Sequence, residues 1–424
     1  MTSRDGSKGA LRPWHFILAF GVVSLLADMV YEGARSIIGP YLATLGASAA
    51  VVGIVAGVGE FIGYGLRVVT GYAVQRTRRY WTWTILGYAL TVLSVPLIGA
   101  TGALAPALLL YATERLGKAV RSPAKDTLLS YASAQTGRGS AFGVHQALDQ
   151  TGAVLGPLLL AAVLGWRDGD YPLAFGVLAI PGVLVIALLL WLRHRVPDPV
   201  LYEQPGSVGV SQAEQAEQAE QAEQAEQAEQ ADAVAPASRR LPPRFWLYAA
   251  TLAVLSCGVA SFPLLAFHAQ TTGLLSDAQV PILFAVAMFV DGASGLVMGR
   301  LYDRLGPAVL LAVPVAAAAS VLSFAPDATL VWFGVAIWGV VNGVLDSTAK
   351  AVVTLLVPSG ARAIAFGWLA LARGAGLLIA GAILGVAYDL GIAYAVGAVL
   401  VANALALVGL IAVLRGMTYV LQQE

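Results

Sequence analysis

Residues 173–192 read LAFGVLAIPGVLVIALLLWL, twenty consecutive residues without a charge. About 20 mostly apolar residues is the helix length that crosses a bilayer's hydrocarbon layer. The same kind of run recurs on both sides of it. Spanning helices are expected at 14–41, 51–74, 80–98, 104–122 and 141–164 before it. After a long polar break they are expected at 245–266, 280–301, 309–324, 330–350, 363–386 and 392–414. Backbone groups in lipid must be satisfied within the segment, which calls for helices. The runs are too long for barrel strands and do not alternate. The fold class expected is therefore an all-α membrane protein with twelve transmembrane helices.

Composition agrees. Of 424 residues, 58% are hydrophobic and only 12% are charged, about half the charged fraction of a soluble domain. The formal net charge of zero hides a split. Six acids, Glu214 to Glu229, sit in one repeat tract, so the remainder is net basic. No nucleic-acid signature is present. Cys257 is the only cysteine, so no intrachain disulfide exists. Arg4, Lys8 and Arg12 precede the first apolar run as in a signal peptide, but that run is too long and lacks a small-residue cleavage site. It reads as a retained first helix.

Lys and Arg in short loops set orientation. One side would hold Arg4, Lys8, Arg12, Arg76, Arg78, Arg79, Arg138, Arg193, Arg195, Arg239, Arg240, Arg244, Arg304, Arg362 and Arg415. The other would hold Arg167 with Asp168, Asp170, Asp277, Asp327 and Asp389. This alternation places both termini in the cytoplasm, with the chain in the inner membrane, and suits an even number of helices. The polar break contains Gln-Ala-Glu six times, from Gln212 to Glu229. Period three matches neither the helical nor the coiled-coil repeat. A solvated cytoplasmic linker is expected at 196–243, between an N-terminal six-helix bundle (1–195) and a C-terminal one (244–424).

The two halves echo each other. Ser140-Ala141-Phe142-Gly143 and then Gly152 match Ile364-Ala365-Phe366-Gly367 and then Gly376. Ser122-Pro123-Ala124-Lys125 matches Ser347-Thr348-Ala349-Lys350, and the stretch starting at Gly71 matches the one starting at Gly299.

Short motifs then carry a family resemblance. Gly299-Arg300-Leu301-Tyr302-Asp303-Arg304-Leu305-Gly306 resembles the signature loop of the major facilitator superfamily, Gly-x-x-x-Asp-Arg-x-Gly. The first-half copy keeps Gly71, Arg76 and Arg79 but has Gln75 where the family has Asp and Arg78 where it has Gly. The resemblance implies a gating latch at these loops; plain positive-inside topology explains the arginines equally well. Gly143, Gly152, Gly156 and Pro157 resemble the fifth-helix motif of the superfamily's drug/proton antiporter branch. Leu160 and Ala161 replace its final glycine pair. Ordinary helix packing by small residues is the alternative. The resemblance implies the duplicated six-helix plan with a substrate site between the halves.

Ionisable residues within spans are functional candidates by default. Asp28, Glu32 and Arg35 share a face of the first helix. Glu60, Glu114, Arg115, Asp291, Asn342 and Arg373 fall near the midplane. Arg115 lies where the family's fourth-helix motif places an arginine linked to proton movement. Arg373 corresponds to Asp149 through the repeat, so the two are expected to face each other across the cavity. Lys118, Arg121, Lys125 and His145 lie toward the cytoplasm and read as end charges that reach water.

The implied function is proton-coupled antiport exporting a small organic solute or drug by alternating access. Asp28, Glu32 or Glu60 would carry the proton, and Arg115 and Arg373 would pair with carboxylates or with an anionic substrate. Uptake or facilitated diffusion of a polar metabolite, and a non-transporting sensor or assembly factor, are the alternatives. No triad, metal cluster or phosphate loop points to an enzyme, and no cofactor or metal is implied. The expected partners are a small-molecule substrate, protons and lipid, with the chain a monomer.

Overall fold

The computed structural model describes residues 11–133, 136, 138–199, 202, 241–358 and 361–421. The Gln-Ala-Glu tract lies outside them. The described residues fold into helices and turns, without strands. In chain order the helical segments are α1 (Pro13–Thr44), α2 (Ala49–Thr77), α3 (Tyr80–Ala100), α4 (Leu104–Ser133), α5 (Arg138–Trp166) and α6 (Tyr171–Arg195). The second half supplies α7 (Pro243–Thr271), α8 (Gln279–Leu305), α9 (306–324), α10 (Ala328–Leu356), α11 (Arg362–Leu390) and α12 (Ile392–Leu421). Among the described residues, 10 segments are long and apolar enough to cross a membrane, with α8 and α9 counted as one, Gln279–Phe324. The helix α4 is not one of them. Glu114, Arg115, Lys118, Arg121, Lys125 and Asp126 interrupt its apolar face.

Local chemistry sets several boundaries. Pro13 sits in the first turn of α1, where a missing N–H costs nothing. Ser48 starts α2, its hydroxyl accepting from Val51 N. Asp170 and Asp327 cap α6 and α10 in the same way, through Leu173 N and Leu330 N. The helix α7 breaks at residues 258–261, between Gly258 and the Ser261-Phe262-Pro263 restart. The carbonyls this frees are bound by side chains. Trp338 Nε1 donates to Ala260 O at 2.8 Å and Asn403 Nδ2 to Gly258 O at 2.9 Å. Such a break is tolerated at membrane depth only where protein or a cavity surrounds it.

Packing within the first half runs α1 on α5 and α3 on α4; within the second it runs α7 on α11 and α8 on α10. Small residues permit this. Gly152 and Gly156 lie against the α1 backbone at Leu25 and Met29, and Gly376 lies against α7 at Ala253 in the equivalent place. Gly87 and Gly117 bring α3 and α4 together.

The halves meet along α2–α11 and α5–α8, most tightly toward one face. A Cβ on Gly53 would strike the Gly381 carbonyl, one on Gly385 the Ala49 backbone, and one on Gly39 the Pro263 carbonyl. Gln150 donates to Met288 O across the α5–α8 seam. Asp389 accepts from Ala49 N and Ala50 N at 3.0 and 2.9 Å. Tyr171 donates to Asp277 at 2.7 Å. Toward the opposite face the α2–α11 contact loosens to side-chain tips, Leu371 against Gly65 and Val68 against Gly367. Gly63, Gly143 and Gly299 have open space where a Cβ would sit.

Candidate functional site

The loosened seams enclose a cavity of about 840 Å³ between the halves. Its first-half wall includes Asp28, Glu32, Arg35, Glu60, Arg67, Lys118 and Asp149; its second-half wall includes Asp291, Asn342, Asp346, Lys350 and Arg373. The unwound turn of α7 contributes Val259, Ala260 and Ser261 to the lining. The site is thus built from helix interiors and one deliberate interruption, not from loops.

A chain of ion pairs crosses the first half. Arg35 reaches Glu32 at 3.5 Å and Glu60 at 3.1 Å. The same Glu60 oxygen lies 3.5 Å from Arg115, and Arg115 Nε lies 2.8 Å from Glu114. Arg115 and Glu114 are 1% and 2% exposed, so both stand behind the cavity wall and not in it. Gly59 leaves room for the Arg115 side chain to pass α2. Charges at such depth persist because each has a counter-charge.

A second cluster joins α1, α3, α4 and α5. Arg121 is sandwiched between Tyr31 and Tyr88, 4.9 and 4.4 Å from their ring centres. Lys118 also lies over the Tyr31 ring, 4.8 Å from its centre. Lys125 contacts His145 at 3.3 Å and Asp149 at 3.9 Å, and Ser24 links His145 to Tyr88. Arg121 and His145 depart from the expectation of end charges that reach water, whereas Lys118 and Lys125 stay partly exposed and Lys118 lines the cavity. Arg121 is 3% and His145 4% exposed, because tyrosine rings and Asp149 offer them partners inside the bundle.

Of the candidates within the spans, Asp28, Glu32, Arg35, Glu60, Asp149, Asp291, Asn342 and Arg373 line the cavity together. Asp149 and Arg373 line opposite walls of the cavity but are not paired with each other. Arg373 is paired with Asp346 of the neighbouring α10, while Asp149 is held by Lys125 and His145. Each finds a partner in its own half first. Asp28 and Asp291 have no cation within ion-pair distance among the described residues. Asp28 sits where α1 meets Gly152 of α5, and its neighbour through hydrogen bonding is Tyr31. Asn342 donates to Trp338 O, within its own helix.

Sequence reasoning missed Tyr31, Tyr64 and Gln150 in the lining, since aromatic and amide residues in a helix carry no charge signal. The α7 interruption was missed as well, the segment being expected as one helix at 245–266, although Gly258 followed by Ser261 and Pro263 is a stop followed by a start. The loop residues Arg76, Arg79, Asp303 and Arg304 are exposed and make no ion pair among the described residues. Gly71 packs only near Pro123 of its own half.

The sequence profile of the Major Facilitator Superfamily matches residues 20–381. The chain belongs to that superfamily. This major facilitator protein is 45% identical over 414 residues to an uncharacterized protein of Mycobacterium tuberculosis, covering 97% of this chain and 96% of that one. It is 22% identical over 302 residues to an uncharacterized MFS-type transporter of Methanocaldococcus jannaschii, covering 70% of this chain and 68% of that one. Its fold is like that of the nucleoside transporter NupG, with a TM-score of 0.73 at 13% identity over 95% of this chain and 99% of that one. It is also like a POT family transporter in complex with a thioalcohol-conjugated peptide, with a TM-score of 0.69 at 13% identity over 94% and 95%. At those identities the likeness is one of fold. Membership makes this a multi-pass membrane protein and a secondary transporter, handling a small molecule within the bilayer.

Proposed function

We propose that this chain moves a small organic solute or drug across the cytoplasmic membrane by proton-coupled alternating access, as an exporting antiporter. Twelve crossings serve it, with α4 and α9 included. The two six-helix bundles rock about the cavity, the linker joins them on the cytoplasmic side, and a single chain suffices. With both termini cytoplasmic, the looser face opens inward and the tighter face is outward.

The observation that carries this reading is Asp28. It is buried, it borders the cavity, and it has no cation at ion-pair distance among the described residues. Glu32 and Glu60 are committed to arginines. A carboxylate left free in a low-dielectric cavity can hold a proton in one state and give it up in the other. Asp291, from the opposite wall, is its counterpart.

The test is solute-driven proton flux in proteoliposomes, after a thermal-shift screen of polar metabolites and drugs identifies a bound solute. Asp28→Asn should abolish coupled proton movement while solute binding survives. If Asp28→Asn and Asp291→Asn both keep coupled flux, the proton assignment is wrong.

One observation favours a second reading, uptake of a polar metabolite. Charged side chains of both signs line both walls, which suits a polar solute better than a lipophilic drug. The Gly152 packing also recurs at Gly376, so the fifth-helix glycines serve helix contact in both halves alike. Deleting the gene separates the two: cells that export would accumulate the solute, and cells that import would lack it.

A further inference from the structure

We infer that Asp389 and Asp277 are positioning residues that hold the outward face shut during the transport cycle. The inference rests on the alternating-access reading above, and its test reads conformation rather than transport.

Asp389 ends α11, in the second half. Its two carboxylate oxygens accept from Ala49 N and Ala50 N, the first residues of α2 in the other half. The opening N–H groups of a helix have no partner within it, and its N-terminal end attracts negative charge. Ser48, the helix's own cap, covers only Val51 N, at 3.4 Å. The remaining donors of α2 are therefore satisfied from across the seam.

Asp277 lies between α7 and α8. It accepts from the hydroxyl of Tyr171, the first residue of α6. It also overhangs Gly169, whose φ of +83° and lack of a Cβ make room for it. Tyr171 is 5% exposed, so its hydroxyl has little access to water instead.

The repeat gives the pairing its logic. The α1–α2 turn corresponds to the α7–α8 turn, and the α5–α6 turn to the α11–α12 turn. Asp389 joins one such pair of turns and Asp277 joins the symmetry-related pair. Each of the two seams is thus pinned at its outer end by one aspartate. At the inner ends Arg76, Arg79, Asp303 and Arg304 make no ion pair among the described residues. The two faces differ in bonding as well as in spacing. Opening outward must break both aspartate links, so these residues set the balance between the two states.

The experiment uses the full chain in lipid nanodiscs, on a Cys257→Ser background. Spin labels at Ala103→Cys and Thr272→Cys report the outward face, one in each half. Labels at Gln75→Cys and Leu305→Cys report the inward face. Electron–electron distance measurements then give the populations. Asp389→Ala combined with Asp277→Ala should raise the outward-open to inward-open ratio about tenfold, the size expected for losing hydrogen bonds to a charged group. Asp389→Asn, which keeps one acceptor oxygen, should give a smaller shift in the same direction.

Asp327→Ala is the control. Asp327 caps α10 through Leu330 N at 3.0 Å, within one half. Losing it removes a helix cap without touching a seam, and the distances should stay as in the parent. The inference is overturned if the double variant keeps the parent distances, or if Asp327→Ala shifts them equally. Should the double variant fail to fold, Asp389→Asn decides alone: a shift supports the latch and unchanged distances reject it. Loss of transport with unchanged distances would count against this latch; unchanged distances say nothing against Asp28.

Discussion

Arg78 and Gly306 stand at equivalent places in the two halves, each ending a long helix with positive φ. Arg78 has φ 51° and ψ 20°, a left-handed conformation. Gly306 has φ 66° and ψ −160°, a region essentially reserved for glycine. The family pattern has glycine at both. Arg78→Gly should stabilise the protein by about 0.5–1 kcal/mol, the left-handed strain less the extra entropy of an unfolded glycine. Gly306→Ala should destabilise it by about 1–3 kcal/mol. Thermal unfolding in detergent checks both signs. Arg115 makes a different residue-scale case. Arg115→Ala leaves Glu60 and Glu114 short of a counter-charge at depth, which typically costs about 3–5 kcal/mol. Arg67, stacked on Tyr64 at 5.4 Å, makes no ion pair among the described residues. Arg67→Ala should cost about 1 kcal/mol or less, the size of a cation–π contact. The folded fraction surviving a heat step should rank the two in that order.

At the scale of helices, the fifth-helix glycines divide by role. Gly152→Leu should prevent α1 and α5 from closing, because even a Cβ there meets the Leu25 backbone. Gly143→Ala should be tolerated, since nothing lies within 4 Å of that position. Size-exclusion monodispersity after extraction distinguishes the outcomes. Most of the helices were legible because length and apolarity mark a span, though α4 falls short on apolarity. What could not be read was partnership. Depth along a helix follows from counting residues, and Glu60, Asp291 and Arg373 could be placed that way. Which charge meets which depends on helix rotation and neighbour order. Those set Arg373 on Asp346 instead of Asp149, and folded Arg121 between two tyrosines. Aromatic partners such as Tyr31 are unremarkable letters until a cation stacks on them.

For the whole molecule, the duplication was readable from Gly143 and Gly367 and from Gly299 with its degenerate copy at Gly71. The conformational state was not, because one sequence must serve every state of a carrier. Residues 207–236 should be removable without loss of solute transport, if the remaining linker still spans the two bundle ends; a proteoliposome assay of the shortened protein checks this. One feature bears on how the protein is made. The helix α4 carries charge along its length, and a charged side chain near a helix centre costs about 2.5–3.5 kcal/mol on entering lipid from the insertion machinery. Alone, that segment would stall at the membrane. Its counter-charge Glu60 and its stacking partner Tyr31 belong to segments synthesised earlier. Biogenesis should therefore retain the first two hairpin arms beside the translocon until the fourth arrives, so that the basic segment enters a protein-lined berth and not bare lipid.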